Sequence, residues 1–320
     1  MTPLLSNLKP IRLHLGRLID VVLVSDPEHI QWLNAHENVE RRIDPELGWL
    51  HRIIDGRLRR DLGFGGALMP VFLERSDAKR AERQRTLAER LDGLRGLPGP
   101  ERNAIAAYVA NRKKKAGEIG VTVQQWCGRL FLPHYHATKE SYGAGRLLAT
   151  FPAESPFAAW RKRVDGRLDR AKELLSDLAE GDLHCVHGTS IGMENVVRTV
   201  RNLRAAARSE EQRRRTLDEV LRECLVAPPV VLRSCTAEVQ APFLKKPLTQ
   251  RTLIVLLVAR AFAASGDLDA AFLSQGWSAC PARRAISEML RAVWGAARQE
   301  NGERRVPIEG APPSWSYSVD

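Results

Sequence analysis

The stretch "AFLSQGWSACPARRAISEML", residues 271–290, decides how the rest of the chain is read. A glycine-containing loop turns at Cys280-Pro281 into apolar residues at helical spacing, and the spacing predicts a helix over 282–298. Proline fits a first helical turn, where no backbone donor is needed. Cys280 therefore sits against a helix N-terminus, whose free N–H groups and positive dipole end favour a thiolate over a thiol. Gly276, four residues earlier, gives the loop backbone freedom, and Ala282, two residues later, is small. The other reading is an inert core thiol.

The 320 residues are 44% hydrophobic and 27% charged, a globular balance rather than a disordered one. Aromatics supply only 6%, so the core must rest on Leu, Val, Ala and Ile. The 49 Lys+Arg exceed the 38 Asp+Glu by eleven, which permits nucleic acid, anionic lipid or an acidic protein as partner. The basic run "AKRAERQRTLAERLDGLRG" interleaves Glu with Arg, as on a solvated helix face. It carries no aromatic on which single-stranded bases would stack, so nucleic acid is not the expected partner. Cys127, Cys185, Cys224, Cys235 and Cys280 are widely spaced with no C-x-x-C pair, which argues against a disulfide framework or a zinc site. The longest apolar run, "LIVLLVARAFAA", is 12 residues with Arg260 inside it, too short to span a bilayer. With no basic-then-apolar leader, a cytoplasmic protein is expected.

"DVVLVSDPEHIQWLNAH" holds a β-branched run, Val21–Val24, then Asp26 and Pro27, the N-cap and first residue of a helix. Helices are predicted over 45–63 and 75–96, split by "GFGGALMP"; another follows "LRGLPGPE" through the "NRKKKAGE" segment. Residues 129–157 read as less regular, with His134 and His136 a surface pair rather than metal ligands. The chain is strongly helical over 157–226, with Gly188 and Gly192 one turn apart. "PVVLRSC" and "TLIVLLV" read as strands, and 301–320 as a tail. The expected class is mainly α with small β-sheets, one domain over 1–320 with an N-terminal half to residue 156 and the chemistry in 157–300.

Three features follow in fixed order: the glycine-bearing "VHGTSIG" helix, a helix with Glu219 and Arg222 in "DEVLRECLVAPPVVLR", and the cysteine loop. That order resembles the cytochrome P-450 family of heme-thiolate proteins. The resemblance implies a heme b (iron protoporphyrin IX) cofactor with Cys280 as iron ligand, and Gly276 and Ser278 in the binding loop. A thiolate pushes electron density to the iron and favours O–O cleavage. It further implies a structural Glu219–Arg222 ion pair and a propionate contact from Arg233, whose fork suits a carboxylate. A second register of that helix begins at Glu223, but puts Val226 where the arginine belongs. On the distal helix the resemblance places Gly188 beside the heme and makes Thr189, Ser190 and Glu194 the tentative proton relay, with His184 and His187 the other titratable groups nearby.

Several positions depart from the family pattern. Leu273 stands at an aromatic position and Ser278 at a basic one. On the distal helix Ser190 and Ile191 replace an acid and a threonine. The implied activity is a monooxygenase or hydroxylase, or a peroxide-dependent oxidase, acting on a small organic metabolite. No dinucleotide fingerprint is present, so electrons would come from a ferredoxin- or flavodoxin-type donor. The alternative is a degenerate relative that keeps the fold without oxygenase activity and serves as a binding or partner protein.

Overall fold

A computed structural model describes residues 9–16, 18–41, 43–65, 67–69, 99–110, 119–150, 164–273 and 279–299, together with Glu82, Arg85 and Glu89. The branched Val21–Val24 run lies in strand β2, Ile19–Val24, with Val22 and Val24 fully buried. β2 pairs antiparallel with β1, Ile11–Leu15. Asp26 then accepts the N–H groups of Glu28 and His29 at 2.9 and 3.0 Å, and Pro27 opens helix α1, Pro27–Ala35, as the sequence predicts. After α1 come β3, Val39–Glu40, and α2, Trp49–Leu62, preceded by a short 3₁₀ turn at Pro45–Leu47. A two-stranded hairpin, β4 (Gly63–Phe64) and β5 (Ala67–Leu68), is turned by Gly65 at φ +52°.

The two late strand-like runs complete the sheet. β6 is Val231–Cys235 and β7 is Leu253–Leu256, and the order is β1-β2-β7-β6-β3. β7 lies parallel to β2, with Val22 opposite Ile254 and Val24 opposite Leu256; every other pairing is antiparallel. Most of the helical chain is thus inserted between two neighbouring strands, with three helices following β7. The sheet and α1 enclose one core of Val22, Val24, Ile30, Leu33, Ile254 and Leu256.

A larger core lies among helices: α3 (Gly99–Ala110), α4 (Ile119–Arg129), a long α7 described below, and α12 (Arg283–Gln299), which pack together. α12 buries Ala285, Met289, Leu290, Val293, Trp294 and Ala297, the three-and-four spacing of one helical face. Of the predicted 75–96 helix, Glu82, Arg85 and Glu89 are described and helical. The basic "NRKKKAGE" segment and the tail lie outside the described residues.

The expectation of irregular chain over 129–157 is corrected at α5, Lys139–Thr150. Thr138 and Ser141 bond each other's backbone N–H, at 3.1 and 2.8 Å, and so start the helix. Gly145 has a reason to be there: a Cβ would lie 2.6 Å from Thr189 O on α7, so its absence lets the two helices touch. His134 and His136 are both exposed, and His134 Nε2 meets Glu180 at 2.6 Å, in keeping with a surface pair. α6, Arg167–Leu178, packs on α5. α7 comprises Leu183–His187, a π-helical turn at Gly188–Gly192, and Met193–Ala206. Junction residues His187, Gly188, Gly192 and Met193 all keep right-handed helical angles, so the three segments run as one helix. Two short helices follow, α8 (Glu210–Arg214) and α9 (Leu217–Cys224), then after β7 come α10 (Val258–Ser265) and α11 (Leu268–Phe272).

Candidate heme-thiolate site

Cys280 is approached through α11. Leu273 ends that helix in the left-handed region, φ +50° and ψ +40°, which costs a non-glycine residue on the order of 1–2 kcal/mol. The strain is offset by burial, because Leu273 fills the core beneath the sheet. Its carbonyl faces Asn34 Nδ2 at 3.5 Å, and Asn34 Oδ1 accepts from Arg233 Nη2 at 2.8 Å. At its other end the loop is closed by Cys280 N donating to Phe272 O at 3.0 Å and Arg283 N to Cys280 O at 3.2 Å. Gly276 and Ser278 lie between, outside the described residues.

The Cys280 sulfur receives the backbone N–H groups of Ala282 and Arg283, taking the place of a capping oxygen at the start of α12. Burial is the largest influence and pushes the thiol above its ordinary value. The two N–H groups and the Arg41 guanidinium pull the other way and do not overcome it. Without a cation the group stays a thiol, and a metal ion would deprotonate it outright. Burial first, and then the neighbouring Cys185, Glu223 and Asp20 respectively, also raise the thiols of Cys127, Cys224 and Cys235, which lie within the cores. Among the described residues no group of three or more His, Cys, Asp or Glu side chains is placed to hold a metal ion.

α7 has two faces. Thr189, Ser190, Met193, Glu194, Val196 and Val197 are buried, whereas His187, Gly188, Ile191, Gly192 and Asn195 form a partly accessible stripe. The tentative relay residues are on the buried face. Thr189 Oγ1 donates to Cys185 O at 2.7 Å and Ser190 Oγ to Val186 O at 2.5 Å. Glu194 Oε2 lies 3.7 Å from Arg146 Nε. The resemblance assigns these three by alignment on His187-Gly188, and the fold turns all of them to the buried side of α7. Gly188 serves packing: a Cβ would stand 2.5 Å from Phe131 Cε2.

His187 is the stripe's titratable side chain. Burial chiefly, then Arg41 and His184, push its pKa down to about 4, so the ring is neutral at ordinary pH. Arg41, just after β3, is close enough to act on both His187 and Cys280. Nothing in the sequence singles Arg41 out, because its place depends on the β3–β6 pairing.

The expected Glu219–Arg222 pair is not in hydrogen-bond or ion-pair contact, although Arg222 still helps to lower the Glu219 carboxyl. Glu219 Oε2 accepts from Thr216 N at 2.7 Å and Thr216 Oγ1 at 2.9 Å, a capping box for α9, and these bonds hold its carboxyl below the usual range. The Arg222 stem lies over Gly266, where a Cβ would meet its Cδ at 2.7 Å. No hydrogen bond or ion pair joins the two among the described residues. Glu219 is the third residue of its helix, and the backbone N–H of the cap competes for the same carboxylate. Arg233 is fully buried in β6; besides Asn34 it bonds Leu232 O at 2.9 Å. Those contacts bury it between β6 and α1 rather than at an open surface.

Outside Cys280, a hollow of 770 Å³ is lined by Asp218, Leu268, Pro281, Arg284, Ser287 and Arg291 among others. No helix of the described residues is long and apolar enough to cross a membrane.

No protein-family profile matches the sequence, and no curated protein matches it. Solved structures do match. CYP175A1 from Thermus thermophilus is 15% identical, with 91% of this chain and 84% of that one covered at a TM-score of 0.56. P-450 RauA (CYP1050A1), solved with a biosynthetic intermediate of aurachin RE, is 14% identical over 87% and 83%, with a TM-score of 0.59. P-450 BioI, solved with hexadec-9Z-enoic acid ligated acyl carrier protein, is 13% identical over 92% and 86%, with a TM-score of 0.57. The chain has a cytochrome P-450-like fold, mainly helical with one small mixed sheet.

Proposed function

We propose that the chain is a heme-thiolate oxidoreductase, a single domain over 1–320, with Cys280 as axial ligand to the iron of heme b. The observation that carries this reading is the Cys280 sulfur at the start of α12, receiving the N–H groups of Ala282 and Arg283, in a P-450-like fold. These residues fit the group: an unpaired thiol with two backbone donors suits a metal-bound thiolate, and the α7 stripe leaves accessible backbone at Gly192, where a Cβ would meet only His187 O, at 3.5 Å. Heme, when bound, supplies an iron for oxidation of a small organic metabolite by dioxygen or peroxide.

The chain's own residues position and shield that site. Asn34, bonded to Arg233, lies beside Leu273 where the loop leaves α11, and Gly276 and Ser278 are the loop residues that would contact the heme. Ile191 gives the stripe an apolar wall for substrate. The hydroxyls of Thr189 and Ser190 donate to carbonyls within α7, and Glu194 sits beside Arg146, which supports peroxide-dependent oxidation over a dioxygen reaction needing a proton relay. The same bonds support the second reading, a P-450-like protein without oxygenase activity. An acidic ferredoxin- or flavodoxin-type donor suits the net positive chain, with the hollow beside Cys280 as its docking place. The five cysteines form no disulfide among the described residues, which suits a reducing cytoplasm.

Hemin titration tests the reading. The wild type should bind stoichiometrically with a thiolate-type Soret band, and Cys280→Ser should lose that band with unchanged far-ultraviolet circular dichroism. A wild type that binds no hemin refutes it.

A further inference from the structure

A cavity of about 160 Å³ lies where the start of α2 meets the β1–β2 hairpin and the turn into β7, and Cys280 is not among the residues lining it. Alternation along β1 decides which side chains reach it: Arg12 and His14 line the cavity, while Ile11, Leu13 and Leu15 are exposed on the opposite face. Arg12 is committed to Asp20, which it holds through two nitrogens at 2.7 and 2.8 Å, and its third donates to Pro247 O at 2.9 Å. Thr252 Oγ1 donates to the same acid at 2.6 Å, and His14 Nδ1 lies 3.5 Å from it. Arg12 and Asp20 cancel, so Arg251 is the uncompensated cation of the lining.

From the other side α2 brings its first turn. Its N-cap is Gly48, which has no side chain to bond the free N–H groups there, and Gly48, Leu50 and His51 all line the cavity. His51 is 3% exposed, and its Nε2 is buried without a hydrogen-bond partner. A buried polar atom is costly to leave unpaired, so this one points to a ligand atom that pairs with it. Leu18, Leu47 and Leu50 make the rest of the wall apolar. Although two histidines and Asp20 line one space, they are not placed to hold a metal ion.

We propose that this cavity binds a short aliphatic carboxylate, with its oxygens on His51, Arg251 and the first turn of α2 and its hydrocarbon against Leu18, Leu47 and Leu50. One uncompensated guanidinium and a helix N-terminus match a single negative charge. A phosphate dianion would bring a second charge against leucines, with no cation to meet it. The volume suits a molecule of about six non-hydrogen atoms, since a cavity of about 150 Å³ holds benzene. The site stands independently of the heme-thiolate reading. Its ligand would bridge the hairpin, the β7 turn and α2, so occupancy stabilises the fold.

The experiment uses the full chain as purified, titrated with sodium butyrate at constant ionic strength. The ¹⁵N resonances of the His51 ring should shift along a saturating curve with a Kd on the order of 1 mM or tighter, and calorimetry should give the same Kd. Butyramide, of the same shape without the charge, and inorganic phosphate should each bind at least about tenfold more weakly. Arg251 is exposed, so Arg251→Gln should keep the fold and weaken butyrate about tenfold, with Arg251→Lys between it and wild type. His51→Gln should weaken it as well; if that variant does not fold, calorimetry on the two Arg251 variants still decides. The proposal is overturned by an absence of saturable change at His51, by butyramide or phosphate binding as tightly as butyrate, or by a butyrate affinity unchanged in Arg251→Gln.

Discussion

Replacing Asn34 with alanine tests how α1 is tied to the sheet at β6. Asn34 is fully buried, and its Oδ1 accepts from Arg233 Nη2 at 2.8 Å while its Nδ2 reaches Leu273 O at only 3.5 Å. The long contact contributes little. The short one is a hydrogen bond to a buried charge, which contributes about 1.5–3 kcal/mol and leaves a desolvated guanidinium short of an acceptor when lost. Asn34→Ala should therefore destabilise the chain by about 2–3 kcal/mol. For a chain of this length that lowers the melting temperature by roughly 3–5 °C. Asn34→Asp keeps the acceptor and should lose much less. Urea unfolding of the three proteins measures this, with m unchanged as the check that only stability moved. A variant within about 0.5 kcal/mol of wild type would refute the claim that Arg233 depends on Asn34.

Gly188→Ala should cost roughly 1–3 kcal/mol through the clash with Phe131, and Phe131→Leu in the same chain should recover part of it in a double-mutant cycle. Thr216→Ala removes the cap of α9 and should cost about 1 kcal/mol, with Thr216→Ser near wild type; equal stability of all three would contradict the capping box. His187 sets a pH window. Its folded pKa, about 4, lies below the ordinary 6.5, so between those values the unfolded chain binds the extra proton and stability falls as pH is lowered. Acid titration of the heme-free protein should show up to about 3 kcal/mol more loss for wild type than for His187→Gln across that window, and none further below pH 4.

Much of this architecture is written locally. Asp26-Pro27 announces α1, the β-branched run before it is a strand wherever it pairs, and Cys280-Pro281 marks the start of α12. Such signals act over a few residues and survive any tertiary context. The loop's order after the Glu219 helix was legible for the same reason. What the sequence hides depends on contacts far apart in the chain. α5 was obscured by Gly143 and Gly145, which weaken helix propensity, although Gly145 is there for α7. Thr189 and Ser190 are assigned by alignment to a family pattern, and that they are buried and bonded to carbonyls within α7 depends on how this helix packs, which a local motif does not carry. Glu219 could serve an ion pair or a cap, and only the placement of Thr216 decides between them. Arg41 reaches the site through strand pairing alone.

The central claim is that the Cys280 sulfur is a ligand held by the first turn of α12. The reduced, carbon monoxide-saturated spectrum of hemin-loaded protein tests it most directly. The account predicts a thiolate-type Soret band in the wild type that vanishes in Cys280→Ala. A band of the nitrogen-ligated kind in both proteins, or no bound heme in either, would contradict it.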